Sequence, residues 1–126
     1  SDIMRLLKPL AEAILNEAEI HGAYKIVRHV MKDSGQEDIK HIFRLITENH
    51  NDVIAVLAGV NAEGVFVIIG CAKGNKSVNV RPAFMKAIEI LGGKGGGSPF
   101  CAQGWGKNPE KVCEALDSAV HELKNT

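Results

Sequence analysis

Val65-Phe-Val-Ile-Ile69 holds an apolar side chain at every position. A strand with one wet face alternates apolar and polar residues, so this unbroken run predicts a strand covered on both faces. It lies within two strongly apolar stretches, Val53 to Gly59 and Gly64 to Cys71. Val60 to Gly64 join them and include Asn61 and a glycine, which reads as a hairpin.

The rest of the chain supplies helical patterns and two more strands. Asp2 to about Glu19 reads as a helix: Ile3, Leu7, Leu10 and Ile14 step by four, three and four residues along one face, with Leu6 and Ala13 widening the stripe. Pro9 falls inside this pattern and predicts a bend or restart, and Gly22 stops it. Tyr24 to Met31 is mostly apolar and β-branched, and reads as a strand. Ser34-Gly-Gln-Glu37 has the form of a capping box, opening a helix to about Asn49 with Ile39, Ile42, Phe43 and Ile46 inward. Arg81 to Leu91 predicts a helix with Pro82 at its start and Gly92 just past its end. Gly92 to Pro99 reads as a loop and Phe100 to Gly104 as a short strand. Asn108-Pro109-Glu110 starts the last helix, with Val112, Leu116, Ala119 or Val120, and Leu123 as its buried stripe. The expected fold is α/β, a two-layer mixed sheet with flanking helices in the order α-β-α-β-β-α-β-α, opened by a short N-terminal helical segment. Residues 1–20 are expected to form that segment, an oligomerisation helix, and residues 21–126 the globular domain.

Several classes are excluded at this level. With 126 residues, 45% hydrophobic and 24% charged, the chain has a globular composition. No stretch reaches the roughly 18 unbroken apolar residues of a membrane span. Three cysteines without a C-x-x-C pair argue against a zinc knuckle and for reduced thiols in a cytoplasmic protein. His21, His29, His41, His50 and His121 are scattered and no H-E-x-x-H occurs, so no catalytic set and no bound metal or cofactor is expected in these residues. The start at Ser1, without Met or a signal peptide, is what a piece of a longer chain would show.

Charge is unevenly spread. Fifteen basic and fifteen acidic residues cancel overall, yet residues 71–107 carry six basic groups against Glu89 alone. The same segment holds Gly92-Gly93-Lys94-Gly95-Gly96-Gly97, five glycines in six residues. A backbone without Cβ atoms can approach another backbone or a phosphate closely and turn its amides toward an anion. No Ser or Thr follows a Gly-Lys pair and no G-x-G-x-x-G register fits, so neither the P-loop nor the dinucleotide fingerprint is present. The open alternatives are a phosphate-facing surface, inert solvated lysines, or a tight helix-to-strand connection.

The run from Gly92 through Pro99, Ala102-Gln103-Gly104 and Asn108-Pro-Glu-Lys111 closely resembles the C-terminal domain of alanyl-tRNA synthetases, over about residues 20 to 126. Ser98 stands where that family usually has arginine, and Phe100, Cys101 and Trp105 replace more polar or smaller residues. The same fold type closes the DHH phosphoesterases, which usually carry a histidine after the glycines. The resemblance implies a non-catalytic domain that binds the outer corner of tRNA(Ala) and mediates homodimerisation, supporting aminoacylation and editing by a parent enzyme that uses ATP, magnesium and zinc. The RNA contacts expected on that basis are Lys73, Lys76, Arg81, Gly92, Gly93, Lys94, Gly95, Gly96, Gly97, Gln103, Trp105 and Lys107. Trp105 would either stack on an exposed base or cap a core edge, and Gln103 would either bond a base edge or tie down the loop. The dimer contacts expected are Ile3, Leu6, Leu7, Leu10 and Ile14. Two rival readings are a substrate-binding domain of a DHH-type phosphoesterase and a purely structural assembly domain.

Overall fold

The structure, a computed structural model, describes residues 2–75 and 77–125, with the backbone only for residues 2–4. Lys76 and the side chain of Ile3 therefore lie outside the described residues. Chain order is α1 (Asp2–Asn16), β1 (Glu19–His21), β2 (Tyr24–Lys32), α2 (Gln36–Thr47), β3 (Val53–Asn61), β4 (Gly64–Cys71), α3 (Arg81–Ile90), β5 (Lys94–Ser98), β6 (Cys101–Gly106), a 3-10 turn (Pro109–Lys111) and α4 (Val112–Lys124). The strands form one mixed sheet in the order β1-β2-β3-β4-β6-β5. β2 and β3 run parallel, joined by α2, and every other neighbouring pair is antiparallel.

The mixed sheet with flanking helices is as expected, and the doubly apolar hairpin explains the arrangement. β3 is buried from Val53 to Gly59 and β4 from Val65 to Cys71. Their side chains alternate between two cores. Val56, Ala58, Val65, Val67 and Ile69 pack with Phe84, Ile88, Leu116 and Ala119 of α3 and α4. Ala55, Leu57, Phe66 and Ile68 pack with Ile14, Ile39, Ile42 and Ile46 of α1 and α2. Helices therefore cover both faces, and the layers number three instead of the two expected.

Four local expectations are corrected. First, residues 19–21, expected at the end of α1 or beyond it, form a short exposed strand folded back on β2 by a turn in which Gly22 has φ of 60°. Second, Ser34 does not cap α2. The N-cap is Gly35, without a side-chain hydrogen bond, while the Ser34 N–H donates to Val60 O (3.1 Å) and its Oγ donates to Lys32 O (3.0 Å). Ser34 thus ties the end of β2 to β3 through its N–H, while its hydroxyl donates back to the end of β2. Third, the glycine segment expected as a loop is strand β5, and the next strand spans Cys101–Gly106. Fourth, Asn108 does not cap α4; its Nδ2 donates to Ile90 O (3.2 Å) at the end of α3, and the 3-10 turn precedes α4.

α1 packs on α2 through Leu7, Leu10, Ala11 and Ile14, so the apolar stripe of residues 1–20 is largely spent on its own domain. Phe66 is 1% exposed, and its ring centroid lies 5.6 Å from that of Trp105. Phe66→Ala is expected to cost about 3 to 5 kcal/mol of stability, as emptied aromatic sites in cores do. Urea unfolding followed by Trp105 emission checks this, and the native emission should also shift because the ring loses its neighbour.

Candidate nucleic-acid interface

β6 is the strand that places the glycine segment. It pairs with β4 on one side, from Val65↔Gly106 to Gly70↔Cys101, and with β5 on the other, from Lys94↔Trp105 to Ser98↔Cys101. Side chains of β6 alternate: Ala102 enters the α3–α4 core, while Cys101 and Trp105 join the α1–α2 side, which puts Gln103 on that side too. Cross-strand partners share a face, so Lys94, Gly96 and Ser98 lie on the α2 side, and Gly95 and Gly97 on the α3 side.

The backbone polar groups follow the same alternation. The Cys71 N–H donates to Phe100 O (2.9 Å), which directs the N–H and C=O of Ala102 toward β4 and those of Cys101 and Gln103 toward β5. Gly96 and Ser98 therefore bond to β6. Gly95 and Gly97 turn theirs outward along the free edge of the sheet. There Arg81, at the start of α3, donates from Nε (3.0 Å) and Nη2 (2.8 Å) to the carbonyl of Gly97.

The glycines are not interchangeable. A Cβ on Gly93 would sit 2.6 Å from the Gly106 Cα, on Gly95 2.6 Å from the Gly104 Cα, and on Gly97 2.8 Å from the Ala102 Cα. Gly104 returns the relation, with Gly95 Cα 2.8 Å away. These contacts are backbone on backbone, so no rotamer change relieves them. Gly92 turns the chain out of α3 at φ of 64°. Gly96 has an ordinary φ and nothing within 4 Å of the Cβ position.

The segment is neither an inert linker nor packed away. Gly92 and Lys94 to Gly97 are exposed, and Lys94 forms no ion pair among the described residues. Lys94, Gly96, Gln103 and Trp105 come together on one face. Trp105 is half-buried, packed on Phe66 and donating from Nε1 to Gln36 Oε1 (3.1 Å), which is the core-edge role. Lys107 is exposed just past the end of β6, its N–H on Leu91 O (2.7 Å). Lys73 is exposed in the turn after β4, toward the opposite end, near Phe43 and Cys101. Lys73 and Lys107 therefore bracket the hairpin lengthwise, while Arg81 reaches its edge from the α3 side.

Sequence reading missed two residues beside this face. Gln36 and Lys40 on α2 approach β6, the first through Trp105 and the second close enough to act on the Cys101 thiol. Nothing in a helical pattern says which turn will sit beside a strand more than sixty residues away. Burial pushes the thiols of Cys71 and Cys101 up, with Cys101 adding to the effect on Cys71 and Lys40 opposing it on Cys101. Both stay neutral thiols at neutral pH, suited to packing and not to nucleophilic chemistry. Among the described residues no group of three or more His, Cys, Asp or Glu is placed to hold a metal ion, and no helix is long and apolar enough to cross a membrane.

A basic, glycine-built hairpin on the edge of this sheet is matched by the family model of the DHHA1 domain over residues 22–125. The chain belongs to the DHHA1 domain family. Its curated relatives include the alanine–tRNA ligase of Alkaliphilus oremlandii, 32% identical over 114 residues, and that of Bacillus velezensis, 30% identical over 117 residues. Those alignments cover 89% and 91% of this chain but only 13% of either relative. Among solved structures, the C-Ala domain of Aquifex aeolicus alanyl-tRNA synthetase superposes with a TM-score of 0.75 at 23% identity, covering 86% of this chain and 98% of that one. A pGpG-specific phosphodiesterase from Vibrio gives 0.55 at 12% identity, covering 98% of this chain and 41% of that one. At these identities the two structures share the fold.

Gly97→Ala is expected to destabilise the DHHA1 domain by about 1 to 3 kcal/mol, the usual cost of forcing an atom into a filled site. Gly96→Ala should be neutral or stabilise by up to about 1 kcal/mol by restricting the unfolded chain. Parallel thermal unfolding of the two variants checks the contrast.

Proposed function

We propose that this chain is the non-catalytic C-terminal domain of an alanine–tRNA ligase, which docks on the outer corner of tRNA(Ala) and supports aminoacylation and editing by the parent. The observation that carries this reading is the exposed glycine strand with Lys94 on its open face, on a fold whose curated relatives are alanine–tRNA ligases. Phosphate contacts by lysine and arginine supply most sequence-independent affinity for RNA, and Lys73, Arg81, Lys94 and Lys107 lie around one hairpin. ATP, magnesium and zinc then belong to other segments of the parent, and a cytoplasmic location follows from the tRNA partner. The phosphoesterase alternative shares the fold, but Ser98 replaces the histidine that its resemblance calls for.

Titration with a tRNA(Ala) transcript at several salt concentrations tests the reading. Binding should be micromolar or weaker and fall as salt rises, and Lys94→Ala should lower the slope of log K against log salt by about one. Salt-independent or absent binding would leave the assembly reading in its place.

Homodimerisation belongs to the same proposal, and α1 limits how it is built. Ile14 is buried and Leu7 and Leu10 are half-buried against their own domain, while Leu6 is 75% exposed. With the small, exposed Ala13, Leu6 is the described part of the stripe still available to a second copy. Light scattering over a concentration series should show a dimer that Leu6→Asp weakens without unfolding the monomer. A wild-type chain that stays monomeric at high concentration sinks the dimer.

A further inference from the structure

The sheet has a second edge, unlike the one that carries the glycines. β1 (Glu19–His21) ends the sheet opposite β5, and all three of its residues are exposed. The Lys25 N–H donates to Asp52 O (2.7 Å), on the β3 side of β2. In an antiparallel ladder the N–H and C=O of one residue point the same way. Those of Lys25 therefore turn from β1, and those of its partner Ile20 turn outward, away from β2. The Ile20 side chain is 79% exposed, more than any other large apolar side chain described. One residue thus offers a donor, an acceptor and a branched apolar surface together. At the β5 edge the outward carbonyl of Gly97 is instead held by Arg81.

The surroundings of β1 select a partner. Cross-strand residues share a face, so Ile20 stands with Lys25 on the α1–α2 side, and Glu19 and His21 stand with Ile26 and Tyr24 on the α4 side. There a cavity of about 350 Å³ opens beside His21, walled by Tyr24, Pro82 and Leu123 over Ile26 and Ile54. A strand laid along β1 would set its residue opposite His21 at the rim of this cavity. Charge narrows the choice further. Residues 9–24 include Glu12, Glu17 and Glu19 and no Lys or Arg, while the neighbouring Lys25 and Lys124 are engaged by Asp52 and Glu19. The edge therefore attracts a basic segment. It repels a nucleic acid, and it repels a second copy that presents the same glutamates.

We propose that the β1 edge docks an extended, basic segment of a partner protein, added antiparallel to β1 as a new outermost strand. The N–H and C=O of Ile20 exchange hydrogen bonds with the residue opposite, and an apolar residue there covers the Ile20 side chain. A lysine or arginine next to it meets Glu19, and a long apolar side chain on its other flank enters the cavity beside His21. Backbone bonds supply the attraction, and the alternating side chains supply the choice of partner. The shortness of β1 keeps the contact weak and reversible, and it also limits uncontrolled pairing along this edge. The proposal does not depend on the RNA reading, because β1 and β5 lie at opposite ends of the sheet.

The test uses the full 126-residue chain and a blocked, dye-labelled peptide Phe-Val-Lys-Val-Lys. In antiparallel register it sets Phe opposite His21, the first Val opposite Ile20, and the lysines opposite Glu19 and Glu17. In one control peptide glutamate replaces both lysines, and in another the N–H of the first Val is methylated. Fluorescence anisotropy should show the basic peptide bound in the high-micromolar range and each control at least about tenfold weaker. Bound peptide should slow hydrogen exchange at the Ile20 amide. Ile20→Pro removes the outward N–H without removing a bond between β1 and β2, and should weaken the peptide about tenfold. Ile20→Lys puts a repelling charge at a site that is already exposed, so it keeps the fold in a thermal melt and should weaken the peptide by a similar factor. Lys94→Ala should bind it as the wild type does. The proposal is overturned if the basic peptide does not bind, if either control binds within twofold of it, or if Ile20→Lys binds within twofold of wild type. Protection at the β5 amides in place of Ile20 would move the peptide to the glycine edge and overturn it as well. Protection of Ile20 that rises with protein concentration alone would give the edge to a second copy, with the same result.

Discussion

Two adjacent strands with apolar side chains on both faces cannot meet water on either side. Val53–Gly59 and Val65–Cys71 are buried along their whole length, and this demand for two covers organises the molecule. α1 and α2 answer it on one side, α3 and α4 on the other. The coverage thins away from the centre. β6 is buried at Ala102 and Gly106, which face α3, and only half-buried where Cys101, Gln103 and Trp105 face α2. β5, one strand further out, is exposed over four of its five residues. The surface available for binding is thus the margin left when the hydrophobic demand of the centre has been met.

On that margin glycine does two separate jobs. At Gly93, Gly95, Gly97 and Gly104 it lets two backbones come nearer than any Cβ would allow. At Gly96 it leaves the strand bare toward solvent. The first job fixes where the hairpin lies, and the second determines what it offers. A run of glycines looks uniform in sequence, yet the two-residue period of a strand divides it into an inner and an outer set.

The elements that were legible in the sequence are those with a strong period or an unbroken apolar run: the β3–β4 pair, β2, α2, α3 and α4. Glycine has poor strand propensity, so the residues of β5 carried no local signal for a strand; pairing with β6 overrides that preference. Ser34 and Asn108 misled for a related reason. Both have side chains that fit a helix N-cap, and both find a backbone group from another element instead, Lys32 O and Ile90 O. The basic segment and the special status of the glycines could be read directly. The face that Lys94, Gln103 and Gly96 share could not, because it depends on a register fixed by residues on both sides of a turn. Lys40 and Gln36 were hidden for want of any contact information between α2 and the hairpin.

The grip of Arg81 on the Gly97 carbonyl has a consequence for how crowded molecules behave. A bare outer strand with outward amides and carbonyls is a template on which further chains can stack and grow into insoluble sheets. The guanidinium occupies one of those acceptors, and the Lys94 ammonium repels an identical neighbour arriving alongside. The open rim thus carries, in one guanidinium and one ammonium, its own obstacles to growth by strand addition.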